Sequence, residues 1–267
     1  MQFLRNLYTK PPDWKQDSIL DLTEVSFATP IVCVIRKIYH LKKWSIIEPS
    51  NIDVNSYLSW MDCGWQATSQ YVPTYQFQIP SIAHKNILRD IRILLEDSVK
   101  EDVLKDLSYT LAELVDNVFD HAKSNLGVLV QAQKYPSMRK VEICIADTGR
   151  GIDQSMKDNP AYQYLTAEER FEAALKLYHT CKPDQHSGEG LSSVIAWIVE
   201  NAKSGAEGII FSNKHVWFCV QTSNQARIGV DHTKYCIWPG TLIWLSIPFL
   251  RHVSFVDVWR KLGLGEE

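Results

Sequence analysis

The chain has 267 residues, enough for one large domain or two small ones, and its 45% hydrophobic content can fill a sizeable core. With 28 Lys and Arg against 31 Asp and Glu, the net charge of −3 offers no bulk attraction to nucleic acid or anionic lipid. Its six cysteines (Cys33, Cys63, Cys144, Cys181, Cys219, Cys236) form no CxxC, and no segment approaches the roughly 20 apolar residues of a membrane span, which excludes a secreted disulfide framework, a cysteine-based zinc site and a membrane-spanning helix.

The opening MQFLRNLYTKPPDW lacks the apolar core of a signal peptide, so a soluble cytoplasmic protein is expected. A first apolar strand is expected around Ile19 to Leu22, then a helix from Ile31 to Lys43 and a short strand from Ser45 to Ile47. Asp53 can cap a second helix that ends near Gly64. The polar, proline-containing stretch from Gln66 to Pro80 reads as a boundary, dividing an N-terminal unit (1–80) from a larger domain (81–250) and a C-terminal helix (251–267).

Beyond the boundary, Ile87, Leu88, Ile91, Leu94 and Leu95 recur at helical spacing, and Leu104, Leu107, Leu111, Leu114, Val115 and Val118 line one face of a second helix. Gly127 to Gln133 and Lys140 to Ala146 read as strands joined by a turn at Tyr135-Pro136-Ser137. A polar stretch with an embedded helix, Ala167 to Tyr178, leads to Ser187-Gly188-Glu189-Gly190. A helix from Leu191 to Ala202 follows, with Gly205 available to end it. IIFSNKHVWFCV has the pattern of a hairpin, and YCIWPGTLIWLSIPF is expected to turn at Pro239-Gly240. Together these elements predict an α+β fold, one mixed sheet covered by helices on one face.

Three short motifs can carry chemistry. ELVDN sets Glu113 and Asn117 one helical turn apart on the same face. The amide oxygen is a hard ligand of the kind Mg²⁺ takes, and the carboxylate can orient or deprotonate an attacking hydroxyl. IADTGRGI delivers Asp147 at a strand end, followed by Gly149 and Gly151, which let the backbone turn tightly against a ligand. A buried carboxylate there can accept from an exocyclic amine. SGEGL places Gly188 and Gly190 before a helix, where backbone N–H groups and the helix dipole favour phosphate. Neither GxxxxGK[ST] nor GxGxxG occurs. Each motif alone is common in purely structural settings.

In that order, with Pro239-Gly240-Thr241 opening a late strand, the motifs over about residues 84–249 resemble the GHKL superfamily of gyrase, heat-shock chaperone ATPases, histidine kinases and MutL proteins. The resemblance implies a Bergerat-type α/β sandwich that binds ATP with Mg²⁺. Glu113 would be the general base and Asn117 the metal ligand. Asp147 would hold the adenine amine, with Gly149, Gly151 and Ile152 shaping the base pocket and Thr241 supporting it. Gly188, Glu189, Gly190 and Leu191 would meet the phosphates beneath a lid of about residues 153–187, in which Thr180 matches a threonine of related bacterial proteins. Glu113, Asn117, His121 and Ala122 also match the ExxxNxxxHA pattern of proteins close to anti-sigma-factor kinases, although His121 reads equally well as a packing residue. Lys182 and His186 could reach a γ-phosphate, or simply belong to a solvated loop.

The segment DLTEVSFATPIVCVIRKI resembles part of a STAS domain, the partner fold of those kinases. Where that family carries a phosphorylated serine this chain has Ala28-Thr29-Pro30-Ile31, so a phospho-switch is not expected, Thr29 being the one hydroxyl at the turn. The expected function is a signalling ATPase or protein serine/threonine kinase with an unidentified protein partner. The alternatives are a conformational ATPase that dimerises around ATP and a nucleotide-dependent binding module without turnover.

Overall fold

The computed structural model describes residues 14, 19–64, 66–176, 179, 190–223, 225–249 and 253–262. The N-terminal elements are β1 (Ile19–Asp21), α1 (Pro30–Lys42), β2 (Ser45–Ile47) and α2 (Ile52–Cys63). β1 and β2 pair in parallel, Leu20 opposite Ile46, with α1 as the crossover. Pro30 at the first turn presets the helical φ of α1. The cap of α2 is Asn51, whose side chain accepts from the N–H groups of Asp53 and Val54, so the expected cap at Asp53 lies inside the helix.

The main sheet has seven strands in the order β3-β4-β5-β9-β6-β7-β8. They are β3 (Tyr71–Phe77), β4 (Val128–Tyr135), β5 (Lys140–Ala146), β6 (Glu207–Asn213), β7 (His215–Gln221), β8 (Ala226–His232) and β9 (Trp238–Pro248). Every neighbouring pair is antiparallel, which corrects the mixed sheet expected above. The stretch expected to be a boundary carries β3, one margin of this sheet. Pro73 is tolerated there because the register breaks between Val72 and Tyr75.

Helices cover both faces of the sheet, where one face was expected. On the first lie α3 (Pro80–Leu95), α4 (Glu101–Asn117), α7 (Gly190–Asn201) and α8 (Phe255–Leu262). They enclose Val128, Val130, Val141, Ile143, Ile145, Leu245 and Ile247. On the second face α1 and α2 pack over Leu129, Cys144, Ala146, Phe211, Leu242 and Trp244. The cause is legible in β5, where the alternate positions Cys144 and Ala146 are as apolar as Val141, Ile143 and Ile145, so both faces need a cover. α8 is docked by Phe255, which stacks on Trp197 at 5.2 Å between centroids, and by the Phe255 N–H donating to Asp106.

Two irregularities position the site. α4 does not stop at Asn117 but runs into a π turn, Val118–Ala122, closed by Lys123 at φ 52°. Pro239 and Gly240 do not reverse the chain. They bulge out of β9 between the pairs Thr241–Ser212 and Trp238–Asn213, with Gly240 at φ 109°. α5 (Ile152–Met156) and α6 (Ala167–Ala174) follow the DTGRG loop, α6 opening with a capping box of Thr166 and Glu169. No helix among the described residues is long and apolar enough to cross a membrane.

Candidate functional site

The first two motifs, and Gly190 of the third, converge at the end of α4. α4 buries Leu107, Leu111, Leu114 and Val115 in the core, and that fixes its rotation. Glu113 and Asn117 are thereby turned towards the start of α7, where a Cβ on Gly190 would sit 2.2 Å from Glu113 Oε2 and 3.9 Å from Asn117 Nδ2. A side chain at 190 would displace the Glu113 carboxylate. Asn117 Nδ2 is buried and has no hydrogen-bond partner among the described residues.

One turn further on, the π turn presents Ala122 to the DTGRG loop. The Ala122 carbonyl accepts from Arg150 N–H at 2.9 Å, and a Cβ on Gly149 would lie 2.0 Å from that oxygen. Arg150 Nε donates to the His121 carbonyl at 2.8 Å, and its guanidinium pairs with Asp158 at 2.6 Å. His121 contributes its backbone to this junction. The N box and the DTGRG loop are thus one packed unit.

Asp147 stands at the end of β5, 1% exposed. Its Oδ1 accepts from Gly149 N–H at 2.7 Å, its N–H donates to the Thr241 carbonyl at 2.8 Å, and Trp238 Nε1 donates to its carbonyl at 2.7 Å. Burial pushes its carboxyl up to about 7, against hydrogen bonds from Gly149 and Thr241 that favour the charged form. Gly240 makes the fit possible, because a Cβ there would lie 2.6 Å from Asp147 Oδ1.

Several residues that the sequence reading passed over hold this loop. Ser212 Oγ accepts from Ile152 N–H at 2.8 Å and donates to the Gly240 carbonyl at 3.1 Å. Asn213, left-handed at φ 52°, donates through Nδ2 to the Arg150 carbonyl at 2.9 Å and to Asp153 Oδ1 at 2.6 Å. These contacts also explain Gly151, at φ 77°, whose Cβ would meet Asn213 Nδ2 at 2.3 Å. The one sequence signal was the Ser-Asn-Lys-His turn, in which Asn is a residue that tolerates the left-handed conformation.

The structure therefore brings Glu113, Asn117 and Gly190 together, and joins Asp147, Gly149, Gly151 and Thr241 in a second group packed on the same helix end. Ile152 and Leu191 are half-buried against the core beside these groups. Thr180, Gly188 and Glu189, with Lys182 and His186, lie outside the described residues. No cluster of three or more His, Cys, Asp or Glu side chains among the described residues is placed to hold a metal ion. The donor set that is present, one amide and one carboxylate beside a helix start, suits a cation that keeps several waters and takes its other ligands from phosphate. Among the described residues the buried amide nitrogen of Asn117 lacks a partner, leaving a donor that a polar ligand can satisfy.

No protein-family model matches the chain, and no curated protein matches its sequence.

Proposed function

We propose that this chain is an ATP-binding regulatory protein of the GHKL type, a Mg²⁺-dependent ATPase or protein serine/threonine kinase. The observation that carries the reading is the meeting of three motifs, 113–117, 147–151 and 190, at one helix end. In it, Asp147 accepts from the adenine amine while Thr241 and Gly149 hold its carboxylate in place. The N–H groups at the start of α7 face the phosphates. Glu113 takes the proton from the attacking water or protein hydroxyl. Asn117 offers its amide oxygen to Mg²⁺, which supplies charge neutralisation at the phosphates when bound.

A regulatory role is supported by the contact between the N-terminal unit and the back of the base site. Trp14 packs edge-on against Trp238 at 4.7 Å and lies 5.9 Å from Tyr39 of α1. Trp238 is the residue whose indole holds the Asp147 carbonyl. A partner that shifts the β1-α1-β2-α2 unit, read here as STAS-like, would act on the adenine end through this indole.

The test is incubation with γ-labelled ATP and Mg²⁺, alone and with cell lysate, alongside calorimetry. Released phosphate identifies an ATPase and a labelled protein band a kinase. Absence of ATP binding by calorimetry overturns the proposal.

A further inference from the structure

β8 is the last strand on its margin of the sheet, and among the described residues no strand pairs with its outer edge. Its register against β7 is unbroken over all seven residues, and it contains neither proline nor bulge, two of the devices that blunt an edge. Thr222 N–H donates to the Gln225 carbonyl and Thr233 N–H to the Lys214 carbonyl. In the same antiparallel register, residues 227, 229 and 231 bond inward to β7. Ala226, Ile228 and Val230 therefore turn both N–H and C=O to the open edge, as does His232, whose N–H donates to Asp231 Oδ1 at 2.8 Å. Ile228 is 47% and Val230 37% exposed, and Arg227 and Asp231 are exposed on the opposite face.

We propose that β8 is a dimerisation edge, pairing antiparallel with β8 of a second copy about a two-fold axis through Gly229. The sequence ARIGVDH is complementary to itself in this register. Ile228 falls opposite Val230 of the second copy, and both carry outward backbone groups, as a hydrogen-bonded pair requires. Arg227 falls opposite Asp231 of the second copy at a non-hydrogen-bonded position, where side chains approach most closely, and the symmetry makes that ion pair twice. Sliding the register by two residues sets Arg227 opposite Gly229 or Thr233 and leaves it without a counter-charge. At the axis a Cβ on Gly229 would lie 2.8 Å from the Phe218 ring, which also carries the Arg227 guanidinium at 5.5 Å from its centroid. Each copy thus brings a cation–aromatic stack to the axis. The apolar pair Ile228 and Val230 continues the sheet face of Trp217 and Cys219 across the junction. Nothing in this pairing requires nucleotide.

Sedimentation of the full chain without nucleotide at about 100 μM tests it, a concentration that populates a dimer with Kd of about 10 μM. The wild type is expected to be dimeric. Arg227→Glu and Asp231→Arg are each expected to be monomeric, since like charges then face across the axis, with unchanged circular dichroism because both sites are exposed. Mixing the two variants restores a one-to-one dimer, because the new glutamate at 227 faces the new arginine at 231 while Asp231 of the first variant faces Arg227 of the second. A monomeric wild type, a dimer that needs ATP, a dimeric Arg227→Glu, or a mixture that stays monomeric would each overturn the pairing.

Discussion

The two ends of the candidate site are built on opposite plans. At the Asp147 end, the carboxylate, N–H and carbonyl of one residue are engaged by Gly149, Thr241 and Trp238, and the loop after it is tied down by Ser212 and Asn213. At the α7 end, a glycine makes room for a carboxylate, and an amide nitrogen is buried without a partner among the described residues. On the proposed reading, the first end is organised before ATP arrives and the second is completed by it. This division suits a protein that recognises a base rigidly and assembles its phosphate and metal contacts on binding.

The contrast breaks most visibly in turnover. Glu113→Ala is expected to lower the rate of ATP hydrolysis or transfer by about 10²–10⁴-fold while leaving the ATP affinity near that of the wild type, because a general base acts in the transition state. Asn117→Ala should instead weaken binding only when Mg²⁺ is present. Steady-state kinetics and calorimetry with and without Mg²⁺ separate the two, and equal losses in both variants would remove the distinction between base and metal ligand.

Asp147→Asn tests the organised end. It replaces a carboxylate acceptor by an amide whose donor can face the adenine amine, at a cost of about 1–3 kcal/mol, or roughly 5–150-fold in Kd. The same variant has a signature in stability. Burial pushes the folded carboxyl up to about 7 from its ordinary 3.8, so between these values the folded protein holds a proton that the unfolded chain has released. Stability contributed by this group is therefore full below about pH 4, falls as pH rises to about 7 and is flat above, by an amount on the order of 4 kcal/mol. Asp147→Asn should flatten that part of the profile, measured by urea unfolding at a series of pH values.

Gly190→Ala sharpens the comparison at the other end. The added methyl group displaces the Glu113 carboxylate, so turnover should fall roughly 10-fold or more with little change in melting temperature, as a misplaced group near reacting atoms entails. The smallest effect belongs to Ser212→Ala. It removes the hydroxyl between Ile152 N–H and the Gly240 carbonyl and should cost about 1 kcal/mol in denaturant unfolding, with a several-fold weaker ATP affinity.

The sequence by itself determined the elements whose periodicity is strong and local. α4, β5 and β2 fall where the spacing of apolar residues places them, and Glu113 and Asn117 share a face because a helix permits nothing else. It also marked Gly149, Gly151 and Gly190 as places of close approach, although what approaches each one is non-local: the Ala122 carbonyl, Asn213 and Glu113. Tertiary structure alone decided the rest. β3 looked like a connection because an edge strand with a proline and a bulge has no clean alternation, and only its pairing with β4 makes it a strand. β8 escaped notice because its apolar residues are few and one face is solvated. The bulge at Pro239-Gly240 reads locally as a turn, and it is the continuing ladder from β9 to β6 that keeps the chain straight. Ser212 and Asn213 acquire their roles only because β6 ends beside a loop about 60 residues earlier in the chain, a proximity set by strand order and by no property of the residues themselves.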